Sequence, residues 1–179
     1  MPYTPPPELA ALSLTEIAAL VAERKVPPIG EWTPAETVES GIAIHADGSW
    51  YHEGGRITRP AMVRAFSSLL VRDAEGRHWL CTPHQRHAIT VADAAFIAVD
   101  VVATGGALAF RLNTDDTVIA GPDHPLRAAG SAEAPALYLA VRHGCEARIN
   151  RSTWLQLAEL AEPDWTVTSQ GQRFSLVPQ

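Results

Sequence analysis

The residues best suited to bind a ligand are arginines set in a repeated frame. Arg56-Ile57-Thr58-Arg59 recurs 92 residues further on as Arg148-Ile149-Asn150-Arg151. Thr58 and Asn150 are residue types that cap helix N-termini, and Pro60 suits a first helical turn. Each frame therefore predicts a helix start with arginines on both sides of its cap. Free N–H groups and the helix dipole favour an anion at such an end, and the guanidinium fork matches phosphate or carboxylate. The chemistry expected is the grip of a small phosphorylated molecule by Arg59 and Arg151, with Arg56 and Arg148 next to them. The same arginines also suit ion pairs across a domain interface, and the sequence leaves both readings open.

Other chemistries are less well supported. His78, Cys81, His84 and His87 are spaced by three, which on a helix would make half a zinc site. Here Pro83 interrupts a strand pattern whose alternate residues face opposite ways, so no metal is expected. Asn113, Asp115 and Asp116 lack the glycine and distant glutamate of a calcium loop and read as a hairpin turn. Asn113, His124 and Arg142 remain secondary candidates for ligand contact. For His124, beside Pro125, a fixed loop histidine with a structural hydrogen bond is the competing reading. There is no Walker pattern or G-x-G-x-x-G, and Gly54-Gly55 and Gly105-Gly106 are turn pairs. No nucleophile elbow, Cys/His pair or spaced carboxylate pair appears. No catalytic residue is assigned, no cofactor is implied, and a non-catalytic role is favoured. Trp50, Trp79, Trp154 and Trp165 read as core bulk.

The elements that must position these residues follow from periodicity. After MPYTPPP, read as extended, Ser13-Leu14-Thr15-Glu16 has the spacing of a capping box, and Leu14, Ile17, Ala18, Leu20 and Val21 predict a helix near 13–24, stopped by Pro27 and Pro28. Asp47-Gly48 between Ile42–Ile44 and Trp50–His52 predicts a hairpin. A second helix follows Thr58, carrying Met62, Val63, Phe66, Leu69 and Leu70. Strands are expected at Trp79–Cys81, Ala88–Val91, Phe96–Ala103, Ala107–Leu112 and Thr117–Ala120, then a loop over 121–136. Strands at Leu137–Val141 and Cys145–Ile149, a helix near 151–161, and strands near 165–168 and 173–177 complete the chain. After each arginine frame come a helix, a tryptophan (Trp79, Trp165), and a Gln-Arg pair (Gln85-Arg86, Gln172-Arg173). This shared order predicts a duplicated α+β fold of two related hairpin-helix-hairpin halves plus an N-terminal helix. The boundaries drawn are 1–30 for the N-terminal extension, 31–92 for the first domain and 93–179 for the second.

Composition narrows the function classes. The chain has 179 residues, 46% of them hydrophobic, a net charge of −6 and two cysteines, Cys81 and Cys145. The acidic balance disfavours a nucleic-acid binder. No apolar run reaches the length of a membrane span, and no basic-then-apolar leader precedes the fold, so a cytoplasmic protein without a membrane partner is expected. Thirteen of the fourteen basic residues are arginine, Lys25 being the exception, and Arg56, Arg59, Arg64 and Arg72 form a window free of acids.

Several ordered stretches resemble a bacterial family, domain of unknown function 1285. They are Asp47-Gly48-Ser49-Trp50 with Ile57-Thr58-Arg59 and Val63–Ser67, then Thr82-Pro83 with Ile89-Thr90-Val91 and Asp93–Phe96, then Asn113–Val118 with His124-Pro125-Leu126-Arg127, and finally Val141–Gly144 with Glu146–Arg151. The similarity runs from about Glu31 to Leu176. It implies a duplicated core, a C-terminal half like a pleckstrin-homology barrel, a nucleotide-like ligand between the halves, and a link to signalling. The chain departs from the family pattern at Gly41 and Ala43, where an acidic and basic pair is usual, at Gln85 in place of Glu, and at Ala92 in place of an acid. The function expected is thus a non-catalytic cytoplasmic sensor or adaptor in signalling that binds a small phosphorylated, nucleotide-like ligand between its two domains. The alternatives are a module that binds a protein partner without a small ligand, and a hydrolase of a phosphorylated small molecule.

Overall fold

A computed structural model describes residues 4–179; Met1–Tyr3, the start of the segment read as extended, lie outside the described residues. The chain divides into two compact units. The first is built on residues 25–95 and 142–145, the second on 5–24, 96–141 and 146–179.

The N-terminal helix α1 (Leu14–Glu23) belongs to the second unit. Its capping box forms as the spacing predicts: Glu16 N–H donates to Ser13 Oγ at 3.2 Å and Ser13 N–H to Glu16 Oε1 at 3.1 Å. Leu9 ahead of the helix and Ile17 on it are fully buried and pack with Ala109. Arg24, the C-cap residue, forms an ion pair with the buried Asp116, Nε to Oδ1 2.5 Å.

In the first unit, β1 (Glu36–Ile44), β2 (Trp50–His52), β3 (Gly55–Arg56), helix α2 (Pro60–Ser67), β4 (Leu70–Arg72), β5 (His78–Cys81) and β6 (Gln85–Val91) follow in order. The strands make one six-stranded sheet ordered β3-β2-β1-β6-β5-β4, with β1 and β6 parallel at its centre. The Asp47-Gly48 turn joins β1 to β2 as expected, with Ile44 opposite Trp50. Trp50 is buried and stacks on Phe66 of α2 at 6.4 Å. The cap of α2 differs from the sequence reading. Proline disfavours helical backbone in the residue before it, so Arg59 stays extended (φ −83°, ψ 110°) and is itself the N-cap, leaving Thr58 one position outside.

In the second unit, β7 (Phe96–Thr104), β8 (Ala107–Leu112), β9 (Thr117–Ile119), β10 (Leu126–Gly130), β11 (Pro135–Arg142) and β12 (Cys145–Ile149) form a second six-stranded sheet, ordered β10-β11-β12-β7-β8-β9. Helix α3 (Arg151–Leu160) and the ribbon β13 (Thr166–Ser169) with β14 (Gln172–Ser175) follow. Phe96, Phe110, Leu112, Leu137, Leu139 and Leu157 fill the core. Ser169 ties ribbon to sheet: its Oγ accepts from Leu108 N–H at 2.8 Å and donates to Ala120 C=O at 2.7 Å. β10 lies where the Pro/Gly/Ala-rich composition predicts a loop.

The two sheets have one topology. In each, three strands meander outward from the centre, three return to it, and the first and sixth run parallel. β1 and β7 begin 60 residues apart, as do β6 and β12. The halves are therefore related, but in a different frame from the arginine motifs. α2 stands between the third and fourth strands of its sheet, whereas α3 follows the sixth of its own. The motif marks a local strand-to-helix passage that occurs at two different steps of the repeat.

Candidate functional site

The second unit contains a cavity of about 730 Å³. Asn150 sets its geometry. The Asn150 Oδ1 accepts from Thr153 N–H at 2.9 Å and starts α3 at Arg151. Positions i, i+3 and i+4 share a helix face, so Arg151, Trp154 and Leu155 line the cavity together. Arg148 arrives from β12. Cys145, Ala147 and Ile149 of that strand are buried, and Arg148 belongs to the alternate set. The turn between β10 and β11 contributes Glu133, Ala134 and Pro135, and Val177 lies beyond β14.

The two arginines differ in how they are held. Arg148 Nη1 donates to the Tyr138 hydroxyl at 3.1 Å and its guanidinium lies 5.3 Å from that ring. Arg127 lies 4.6 Å from the same ring and forks onto Glu146 at 3.1 and 2.8 Å. Arg148 is thus aligned by its neighbours. Arg151 is exposed and makes no side-chain hydrogen bond or ion pair among the described residues.

The cavity also contains two tryptophans that sequence reasoning assigned to the core. Trp154 and Trp165 stack with ring centroids 5.9 Å apart and planes 22° from parallel. Trp165 is 46% exposed and sits at φ +60°. Its N–H donates to Glu162 C=O at 2.9 Å, and its C=O accepts from Leu176 N–H at 2.8 Å. No sequence signal separates this tryptophan from a buried one, because its exposure depends on where the chain before β13 is pinned.

The remaining predicted residues lie elsewhere. Arg56 and Arg59 are exposed residues of the first unit, so the two arginine pairs belong to different units. Arg56 ends β3 and, after the hydrogen bonds from Ser49, helps hold the Asp47 carboxyl below its ordinary value. Asn113 closes a strand end: its Oδ1 accepts from Ile97 N–H at 3.0 Å and its own N–H donates to Ile97 C=O at 2.8 Å. His124 Nδ1–H donates to Ala140 C=O at 3.0 Å. Arg142, the last residue of β11, falls with the first unit, unlike the rest of that strand, and donates from Nη2 to Ser67 C=O at 3.2 Å. In the same segment Gly144 (φ +78°) leaves no room for a side chain, since a Cβ there would sit 2.5 Å from the Arg72 carbonyl oxygen.

Strand alternation separates the histidine–cysteine set. Leu80 pairs with His87 while Cys81 pairs with Arg86, which puts Cys81 on the face away from His78 and His87. Burial pushes the Cys81 thiol up and the His78 imidazole down. Among the described residues, no helix is long and apolar enough to cross a membrane.

Two like-built α+β units, the second with a cavity of ligand size, define the class of protein. The chain belongs to the DUF1285 family: residues 27–94 match the model of its N-terminal domain and residues 95–176 that of its C-terminal domain, both described as of unknown function. It is similar to the crystal structure of a DUF1285 family protein from Silicibacter pomeroyi DSS-3, with 36% identity, a TM-score of 0.76, and 90% of this chain and 94% of that chain covered. A DUF1285 family protein from Shewanella baltica OS155 shares the fold at 18% identity, with a TM-score of 0.56 over 67% of this chain and 91% of that one. No curated protein matches the chain.

Proposed function

We propose that the protein is a non-catalytic sensor or adaptor that binds a small phosphorylated, nucleotide-like molecule, and that the molecule seats in the cavity of the second unit. The observation that carries this reading is the meeting of Arg148 and Arg151 in one 730 Å³ cavity. That volume falls within the roughly 300–1,000 Å³ usual for small-molecule sites. A phosphate leaving water needs several donors to replace its hydration, and two guanidinium forks supply them. The cavity lining offers guanidinium, indole and aliphatic groups and one carboxylate, Glu133, on a turn, which suits binding better than bond cleavage. A cytoplasmic setting, a part in signalling and a pleckstrin-homology-like C-terminal half belong to the same proposal.

A second reading, a module for a protein partner, is favoured by one observation. Leu155 of α3, 49% exposed, lines the same cavity as the 46% exposed Trp165, and exposed apolar patches mark interaction surfaces.

A thermal-shift screen of phosphorylated metabolites and peptides tests both. A ligand at a hundred times its Kd stabilises the folded state by about 2.7 kcal/mol. A phosphate-dependent shift supports the first reading. Shifts with apolar peptides and none with phosphates would move the protein-binding reading to first place.

A further inference from the structure

We propose that Trp165 is the stacking platform that receives the planar ring of the nucleotide-like ligand. The inference rests on the phosphate-binding reading above and adds the residue that selects for the ring. Trp165 combines two features that packing alone does not call for. Its backbone is in the left-handed region (φ +60°), which is unfavourable for a bulky residue and easy for glycine. The residue is also 46% exposed although it lines a cavity. Strain of this kind is retained where the surroundings over-determine it, and here they do: hydrogen bonds fix its N–H to Glu162 and its C=O to Leu176, and Trp154 stacks on it at 5.9 Å. The result is a rigid, partly open indole ready to receive a second ring, at little further cost in side-chain ordering.

Charge selects among the rings such a platform could accept. A tryptophan pair can also hold a cation through its π faces. Against that, the lining carries two guanidinium groups, Arg148 and Arg151, and a single carboxylate, Glu133. The occupant that satisfies both indole and guanidinium groups is a ring joined to an anion.

The test is a matched pair of probes, AMP and ribose 5-phosphate, titrated calorimetrically into the full chain. They differ by the base alone. Base–aromatic stacking is expected to make AMP bind about five- to a hundred-fold tighter. Trp165→Ala should bring AMP to the affinity of ribose 5-phosphate and leave the latter unchanged, while Trp165→Phe keeps most of the preference. Trp165→Gly, which fits the left-handed backbone, gives the same reading should the alanine variant fail to fold. Equal binding of the two probes to the wild-type protein, or an AMP preference that survives Trp165→Gly, overturns the platform and leaves the phosphate site standing. Binding of neither probe overturns both.

Discussion

Replacing Arg24 by alanine should destabilise the second unit strongly, because it breaks an ion pair in which one partner is almost fully enclosed. The Asp116 side chain is 2% exposed and that of Arg24 19%, with Nε 2.5 Å from Oδ1. Thr114 Oγ1 also donates to Asp116 Oδ2 at 2.8 Å. Deleting one member of a buried pair costs about 3–5 kcal/mol, most of it the penalty of leaving the other charge in low dielectric. Arg24 is partly exposed, so water can reach the vacated space, and the lower end, about 3 kcal/mol, is expected. For a chain of this size that is a fall in melting temperature of about 6–12 °C, read by circular dichroism. Arg24→Met with Asp116→Asn should recover part of the loss, since the neutral amide keeps an acceptor for Thr114 and removes the uncompensated charge. A fall of less than about 2 °C for Arg24→Ala would refute the reasoning and show that apolar packing, not the ion pair, holds α1.

Ser13→Ala removes the capping box of α1 and should cost about 1 kcal/mol, measured by denaturant midpoint. Gly130→Ala forces a side chain onto φ +80° and brings its Cβ within 2.4 Å of the Ala134 carbonyl oxygen. It should destabilise by more than about 1 kcal/mol and weaken phosphate binding, because that turn lines the cavity. The Asp73 carboxyl is lowered to about 2, first by the hydrogen bond from the Trp79 indole. A depressed carboxyl stabilises above its ordinary value of 3.8 and loses that contribution as pH falls toward 2. Melting temperature against pH should therefore drop across that window, and the drop should be smaller in Asp73→Asn.

The features legible in the sequence were those set by local chemistry. Ser13 and Glu16 specify their cap within four residues, and Asp47-Gly48 specifies its turn within two. Thr58 misled because Pro60 acts backward on Arg59 and moves the helix start by one position. A duplication was expected from the arginine frame and the elements after it, yet the sheets repeat in another frame, because a four-residue motif does not reveal which strand of a repeat it follows. β10 was hidden because Leu126–Gly130 owes its strand form to pairing with β11, a non-local choice that Ala- and Gly-rich composition does not announce. Of the arginines singled out by residue type, Arg148 and Arg151 line the cavity. Asn113, His124 and Arg142 have equally suitable chemistry, yet each makes hydrogen bonds to backbone groups, partners that sequence does not display.

The central claim is that a phosphorylated ligand binds in the cavity of the second unit. Fluorine NMR of protein labelled with fluorotryptophan tests it most directly, since the five tryptophans include Trp154 and Trp165 at the cavity and Trp50 and Trp79 in the first unit. Assignment comes from single Trp→Phe variants. On addition of AMP the resonances of Trp154 and Trp165 should shift, those of Trp50 and Trp79 should stay in place, and Arg148→Ala with Arg151→Ala should abolish the response. Shifts confined to Trp50 and Trp79, or a response unchanged by loss of both arginines, would contradict the account.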